Sequence, residues 1–263
     1  MNKNERAMVD ILKRGKEEFG YLAAKAEFEA EGTRVDELLR LMDIAHTADV
    51  KLTVKIGGCE AIRDLLESKQ FGVDFIVAPM IETPYALGKF SEARNKVYSI
   101  DEQQDTDFLF NLETNSTYEL RNAIVSDAKK LGLDGIVFGR SDYTASLGLQ
   151  PADIEGELVT SHILEIATMC KAASLDLVVG GAVNFNSIPN LRKIAGIHLT
   201  RFETRKIVFD SSAVGNDNIE EALFQAVQFE LKWLQNKKEY YTRISMEDDK
   251  RFDTLKARWG LMD

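Results

Sequence analysis

The chain has only 2 cysteines in 263 residues. Cys59 and Cys170 form no C-x-x-C pair, and two thiols are too few for a disulfide framework, so both are expected to be reduced. Prolines number 4, and no Ser/Gly-rich or Pro-rich tract marks a linker, so one domain over residues 1–263 is expected. No apolar run reaches the length of a membrane span. The amino terminus, Met1-Asn2-Lys3-Asn4-Glu5-Arg6, leads into a charged amphipathic segment instead of an apolar signal core. The expected compartment is the cytoplasm, without a membrane partner. Positive charge is in deficit, with 33 Lys and Arg against 43 Asp and Glu. The net charge of −10 speaks against sequence-independent nucleic-acid binding, which needs cations clustered on phosphate. No dinucleotide glycine fingerprint and no aromatic stacking platform is present. Histidine is scarce too. His46 and His162 fall in predicted helices and His198 near a strand start, so all three are expected to be structural or surface residues.

What is present is an alternation of short apolar runs with amphipathic segments, the pattern of a parallel α/β fold. A helix is expected from about Asn4 to Phe19. The first strand, Lys25 to Glu31, puts Lys25, Glu27, Glu29 and Glu31 on one face and Ala26, Phe28 and Ala30 on the other. In a barrel wrapped by helices the charged face points inward; an exposed antiparallel strand with a wet acidic face is the other reading. The second strand, Leu52 to Ile56, repeats the pattern with Thr53 and Lys55 inward. Between them, Val35 to His46 reads as a helix covering the sheet with Leu38, Leu39 and Met42. Gly57-Gly58 allows a tight turn or the approach of backbone to a ligand. Further strands are expected at Val73 to Met80, Lys96 to Ile100, Asp107 to Leu112, Leu133 to Phe138, Leu175 to Val179 and Ile197 to Val208. Gly72-Val73-Asp74-Phe75-Ile76-Val77 echoes Gly132-Leu133-Asp134-Gly135-Ile136-Val137, as a repeating βα architecture produces. Eight strands fit a closed (β/α)₈ TIM barrel over about residues 21–210, with helices over about 218–260. The tail divides into a helix from Ile219 to Tyr241, striped by Leu223, Val227, Leu231 and Leu234, and a second from Ser245.

The stretch Asp107 to Gly148 concentrates the chemistry. It reads as strand, helix, strand, with Glu113 and Asp142 at the carboxyl ends of its two strands. In such a barrel those ends form the active-site face, and two carboxylates there can share one hard cation. A solvated strand-end acid and a helix cap are the plainer roles.

Asn111-Leu112-Glu113-Thr114 and Gly139-Arg140-Ser141-Asp142-Tyr143-Thr144-Ala145-Ser146-Leu147-Gly148 together resemble the HpcH/HpaI aldolase and citrate lyase beta-subunit family. Its members carry a metal-binding Glu in an apolar-E-T stretch and a metal-binding Asp in a G-x-x-D-[LY]-[ST]-x-S-L-G stretch. Pro79-Met80-Ile81-Glu82-Thr83 is also family-like, and the likeness runs from about Lys25 to about Phe209. The resemblance implies a divalent cation, Mg²⁺ or alternatively Mn²⁺, on Glu113 and Asp142. It implies carbon–carbon lyase or aldolase chemistry on a 2-oxo acid through a pyruvate-type enolate. Lys55 stands where the pyruvate aldolases of the family carry Arg, and it also permits a Schiff base. The family's proton-transfer His is replaced by Glu29-Ala30-Glu31-Gly32, which leaves Glu29 or Glu31 for that role. Gly57, Gly58, Arg34, Asn184, Arg201 and Glu203 are candidate substrate contacts, with local turns and barrel ion pairs as the alternative. An acyl-CoA lyase of the citrate lyase beta type and a non-catalytic metabolite-binding barrel stay open. In the family, carboxyl-terminal helices reach a neighbouring subunit, so a homo-oligomer is expected; packing of the tail on its own barrel is the alternative. The link Asp101 to Thr106 is too short for a helix, which departs from the family pattern.

Overall fold

The computed structural model describes residues 1–261. Helix α1 (Lys3–Glu18) precedes β1 (Tyr21–Glu27), α2 (Val35–Thr47), β2 (Lys51–Lys55), α3 (Ile62–Gln70), β3 (Phe75–Ala78) and α4 (Pro84–Val97). Next come β4 (Asp107–Leu112), α5 (Asn115–Glu119), α6 (Arg121–Lys130), β5 (Gly135–Gly139) and α7 (Arg140–Ser146). The chain continues through α8 (Glu157–Ala173), β6 (Asp176–Gly180), α9 (Ile188–Ala195), β7 (Arg201–Glu203), β8 (Ile207–Asp210) and α10 (Ile219–Trp259). The eight strands close in sequence order into a barrel.

Alternation along each strand divides two apolar layers. Ala24, Ala26, Val54, Ile76, Phe108, Phe110, Ile136 and Leu177 face outward beneath the helices. Ala23, Phe75, Val77, Leu109, Val137, Val178 and Val208 fill the barrel interior. The charged face of β1 therefore does point inward, but the strand lies earlier than the pattern suggested. It ends at Glu27, and Phe28 to Glu31 form the loop after it. Phe28 is half-buried against the outer layer. Helix α2 covers the sheet with Leu38, Leu41 and Ile44, while Leu39 is exposed.

Three expectations are corrected. Lys96 to Ile100 is not a strand: Lys96 and Val97 complete α4, and the chain passes through a short 3₁₀ turn, Glu102–Gln104, into β4. No helix is missing there, because α4 itself is the crossover between β3 and β4. The segment Ile197 to Val208 is not one strand but contributes to two, β7 and β8, joined by the turn Thr204 to Lys206. β8 runs antiparallel to both β7 and β1, so seven parallel strands and one antiparallel strand make up the barrel. The tail is not two helices: α10 is a single helix of 41 residues without a break at Ser245. Its buried face carries Ala222, Leu223, Ala226, Phe229 and Trp233, whereas Val227, Leu231 and Leu234 are exposed.

Candidate active site

At the carboxyl mouth of the barrel the inward faces of several strands turn polar. Lys25 and Glu27 come from β1, Lys55 from β2, Asn111 from β4 and Glu203 from β7, with Glu113 one residue beyond β4. Together with Glu29, Asp142 and Arg205 they line a cavity of about 310 Å³. Its walls thus hold five carboxylates against three cations.

Glu113 is the most enclosed of these, at 1% exposure. Its Oε1 accepts from the Met80 N–H at 2.9 Å, and its Oε2 accepts from Asn111 Nδ2 and, at 3.4 Å, from Lys55 Nζ. Met80 delivers that N–H from a left-handed backbone, φ +48°, a conformation that costs a non-glycine residue about 1–2 kcal/mol. Gly139 completes the enclosure, since a Cβ there would stand 2.8 Å from the Glu113 carboxylate. Lys55 also pairs with Glu29 at 3.1 Å, so one ammonium is shared between two acids. Deeper, Lys25 pairs with Glu203 and with Glu27 at 3.3 Å. Burial alone would lower the Lys25 ammonium, but Glu203 and Glu27 outweigh it and hold it above its ordinary value. Burial likewise pushes Glu27 up, and Lys25, Lys55 and Arg205 together bring it below the usual carboxylate range. Asp142 lies in the first turn of α7, exposed at the cavity wall. Among the described residues its carboxylate has no hydrogen-bond or ion-pair partner.

The structure brings Lys55, Glu29, Glu113, Asp142 and Glu203 to one cavity and leaves the other sequence candidates outside its lining. Glu31 pairs with Lys206 and Arg205 on the turn between β7 and β8. The Gly57 N–H donates to Asp64, and neither Gly57 nor Gly58 lines the cavity. Arg34 stands at the start of α2 with its guanidinium 4.8 Å from the Tyr241 ring centroid. Asn184 is exposed on the loop after β6, its amide donating to the Ala182 carbonyl. Arg201 lies at the opposite end of the barrel. It opens β7, so its side chain enters from the amino-terminal side, where Asp107 and Asp176 hold it at 3.5 and 2.5 Å. Two residues on, Glu203 reaches the mouth. Sequence reasoning did not nominate Lys25, Glu27, Asn111, Met80 or Arg205 as site residues. Period two already put Lys25 and Glu27 beside Glu29, and Asn111 precedes Glu113 by one strand repeat; nothing local announces the left-handed turn at Met80.

Among the described residues no group of three or more His, Cys, Asp or Glu is placed to hold a metal ion. Glu113 and Asp142 are two oxygen donors in a cavity with excess negative charge. Asn111 Oδ1, buried in the cavity lining, has no hydrogen-bond partner among the described residues. Such a donor set suits a hard cation that keeps several water or substrate ligands.

A model of the HpcH/HpaI aldolase/citrate lyase family matches residues 23–192. Among solved structures, an HpcH/HpaI aldolase/citrate lyase family protein from Burkholderia cenocepacia J2315 superposes with a TM-score of 0.61 at 13% identity, covering 92% of this chain and 90% of that one. The HpcH/HpaI aldolase from Desulfitobacterium hafniense DCB-2 gives 0.60 at 13% identity, over 79% and 84%. A variant of the citrate synthase SbnG gives 0.56 at 14% identity, over 88% and 90%. At such identities the structural likeness speaks for the fold alone. No curated protein matches in sequence.

Proposed function

Because the chain belongs to the HpcH/HpaI aldolase/citrate lyase family, a lyase-type activity is its starting point, and we propose a divalent-cation-dependent carbon–carbon lyase acting on a 2-oxo acid. The observation that carries this reading is the sharing of Lys55 between Glu29 and Glu113 in one cavity, beside Asp142, which has no partner among the described residues. Glu113 and Asp142 would hold the cation, Mg²⁺ in the first place and Mn²⁺ as its substitute. Bound there, it would act as a Lewis acid toward the keto oxygen of the substrate.

The chain's own residues account for the proton and charge movements. Met80 and Asn111 fix the Glu113 carboxylate from two sides. Lys55 Nζ donates a hydrogen bond to the substrate C2 oxygen, where negative charge grows as the bond between C3 and C4 breaks. Glu29 takes the proton of the C4 hydroxyl, the C4 carbonyl forms, and the bonding pair remains as the pyruvate enolate. Return of that proton to C3 releases pyruvate and regenerates the Glu29 carboxylate. A Schiff base on Lys55 fits less well, because a neutral amine would leave Glu29 and Glu113 facing each other without their shared cation.

A pyruvate-release screen against 2-oxo-4-hydroxy acids and acyl-CoA thioesters tests the reading. Pyruvate should appear from the hydroxy acids, and chelator or Glu113→Gln should abolish it. Turnover of thioesters alone would favour a citrate lyase type of chemistry; cleavage of neither would mean a binding barrel. We further propose that residues 1–263 act as one domain and assemble into a homo-oligomer through α10, whose outer face exposes Phe224, Val227, Leu231 and Leu234. No helix among the described residues is long and apolar enough to cross a membrane, and a cytoplasmic location is proposed with this function.

A further inference from the structure

Among the described residues Asp142 has no partner of its own, so its direction depends on the backbone of the short helix that carries it. Two residues earlier, Arg140 is 1% exposed and is among the largest fully buried side chains in the protein. Its guanidinium does not face the cavity. Nε donates to the Gly180 carbonyl at 3.1 Å, and one terminal nitrogen donates to the Gly181 carbonyl at 2.8 Å and to Ser187 Oγ at 3.1 Å. The other donates to Glu155 Oε1 at 2.8 Å. Glu155 in turn accepts from Ser187 Oγ at 2.6 Å and from Asn190 Nδ2 at 2.9 Å. One side chain therefore ties the start of α7 to the end of β6, to the loop that follows β6 and to the connection between α7 and α8. The approach is close: Gly181 has φ +85°, and a Cβ on it would stand 2.5 Å from the Ser141 N. Ser141, Asp142, Gly180 and Gly181 all line the cavity.

We propose that Arg140, supported by Glu155, is the positioning residue that aims Asp142 and the Gly180-Gly181 backbone into the site, and so sets its affinity for a divalent cation. The inference rests on the reading of Asp142 as a cation ligand. The Arg140 guanidinium is held by four acceptors, the Gly180 and Gly181 carbonyls, Ser187 Oγ and Glu155 Oε1. Electrostatics and geometry predict opposite results when it is removed. Loss of a positive charge near the site should by Coulomb attraction alone tighten cation binding. Loss of a brace behind a ligand weakens it, by about tenfold to a hundredfold.

Mn²⁺ binding measured by calorimetry on the full chain distinguishes the two, with thermal unfolding recorded for each variant. Arg140→Gln should weaken Mn²⁺ binding at least tenfold in the folded protein, and Arg140→Lys should recover part of the loss. A folded Arg140→Gln variant with unchanged or tighter Mn²⁺ binding would overturn the proposal, however far its melting temperature fell. Should Arg140→Gln not fold, Glu155→Gln carries the test: its neutral amide oxygen still accepts from Arg140 but more weakly, and wild-type affinity there would overturn the proposal equally. Asp142→Asn separates the two levels of the argument. If it binds Mn²⁺ as the wild type does, the cation reading of Asp142 fails and this inference with it; if it loses binding while Arg140→Gln keeps it, only the positioning role fails.

Discussion

Lys55 faces Glu29 at 3.1 Å and Glu113 at 3.4 Å, and this placement separates two ketone chemistries. If Lys55 works as a cation, Lys55→Arg preserves the charge and should retain part of the pyruvate release, while chelator removes it all. If Lys55 forms an imine, Lys55→Arg is inactive, chelator is nearly harmless, and borohydride with pyruvate leaves an adduct visible by mass spectrometry. The expected outcome is no adduct and complete chelator sensitivity. Glu27 offers a second test at this scale. Its folded carboxyl lies below the ordinary 4.5. A carboxyl so depressed contributes stability that is present above the unfolded value and lost as pH falls through the folded one. Wild-type stability should therefore drop more steeply below about pH 4.5 than that of Glu27→Gln, as followed by urea unfolding. Parallel curves would mean that the Lys25 pair adds nothing. The placement of Glu113 and Asp142 at the mouth of the barrel was legible in the sequence because each sits in a short local motif at a strand end. Arg201 took the barrel ion pair that stood as its alternative, because an inward-facing residue serves either end of a barrel, and only strand length and register decide which.

At the level of elements, the turn between β7 and β8 does what a single strand could not. Reversing the chain there brings Glu203 and Arg205 to the mouth and lets β8 close the barrel against β1. Lys206 anchors the reversal: its buried ammonium pairs with Glu31, reaches the Lys25 carbonyl at 3.5 Å and lies 5.6 Å from the Trp233 ring centroid. Burial lowers this ammonium, and Glu31 is the main opposing influence. Lys206→Ala would leave Glu31 with Arg205 at 3.7 Å and the Thr33 hydroxyl at 3.5 Å, and breaking such a buried pair should cost about 3 kcal/mol. Chemical denaturation would read this directly; a loss well under 1 kcal/mol would mean that the turn is held by its backbone alone. Periodicity revealed most crossover helices and parallel strands because each repeats one apolar pattern. It failed between Ile197 and Val208, where two short strands share an unbroken pattern. It also failed at Lys96 to Ile100, where the end of a helix and an apolar exit resemble a strand.

On the scale of the whole molecule, α10 is longer than the barrel requires. Its 41 residues span about 60 Å at 1.5 Å per residue. The first half packs by Phe229 and Trp233, and Tyr241 still bonds to Glu37 and receives Arg34 over its ring. Beyond it, Ile244, Met246, Phe252 and Leu255 are exposed, and Trp259 is 73% exposed. A helix owes most of its stability in water to packing of its apolar face, so these side chains point to a partner surface, and a second copy of the chain is the proposed one. Deleting residues 244–263 removes that segment while keeping the contacts of Tyr241. The truncated chain should keep its barrel circular dichroism but scatter light as a smaller species. Its melting temperature should also cease to rise with protein concentration, because mass action no longer favours an assembled folded state. An unchanged molar mass with the same concentration dependence would exclude this segment of α10 from the interface and leave assembly to the exposed face of Phe224, Val227, Leu231 and Leu234 earlier in the same helix.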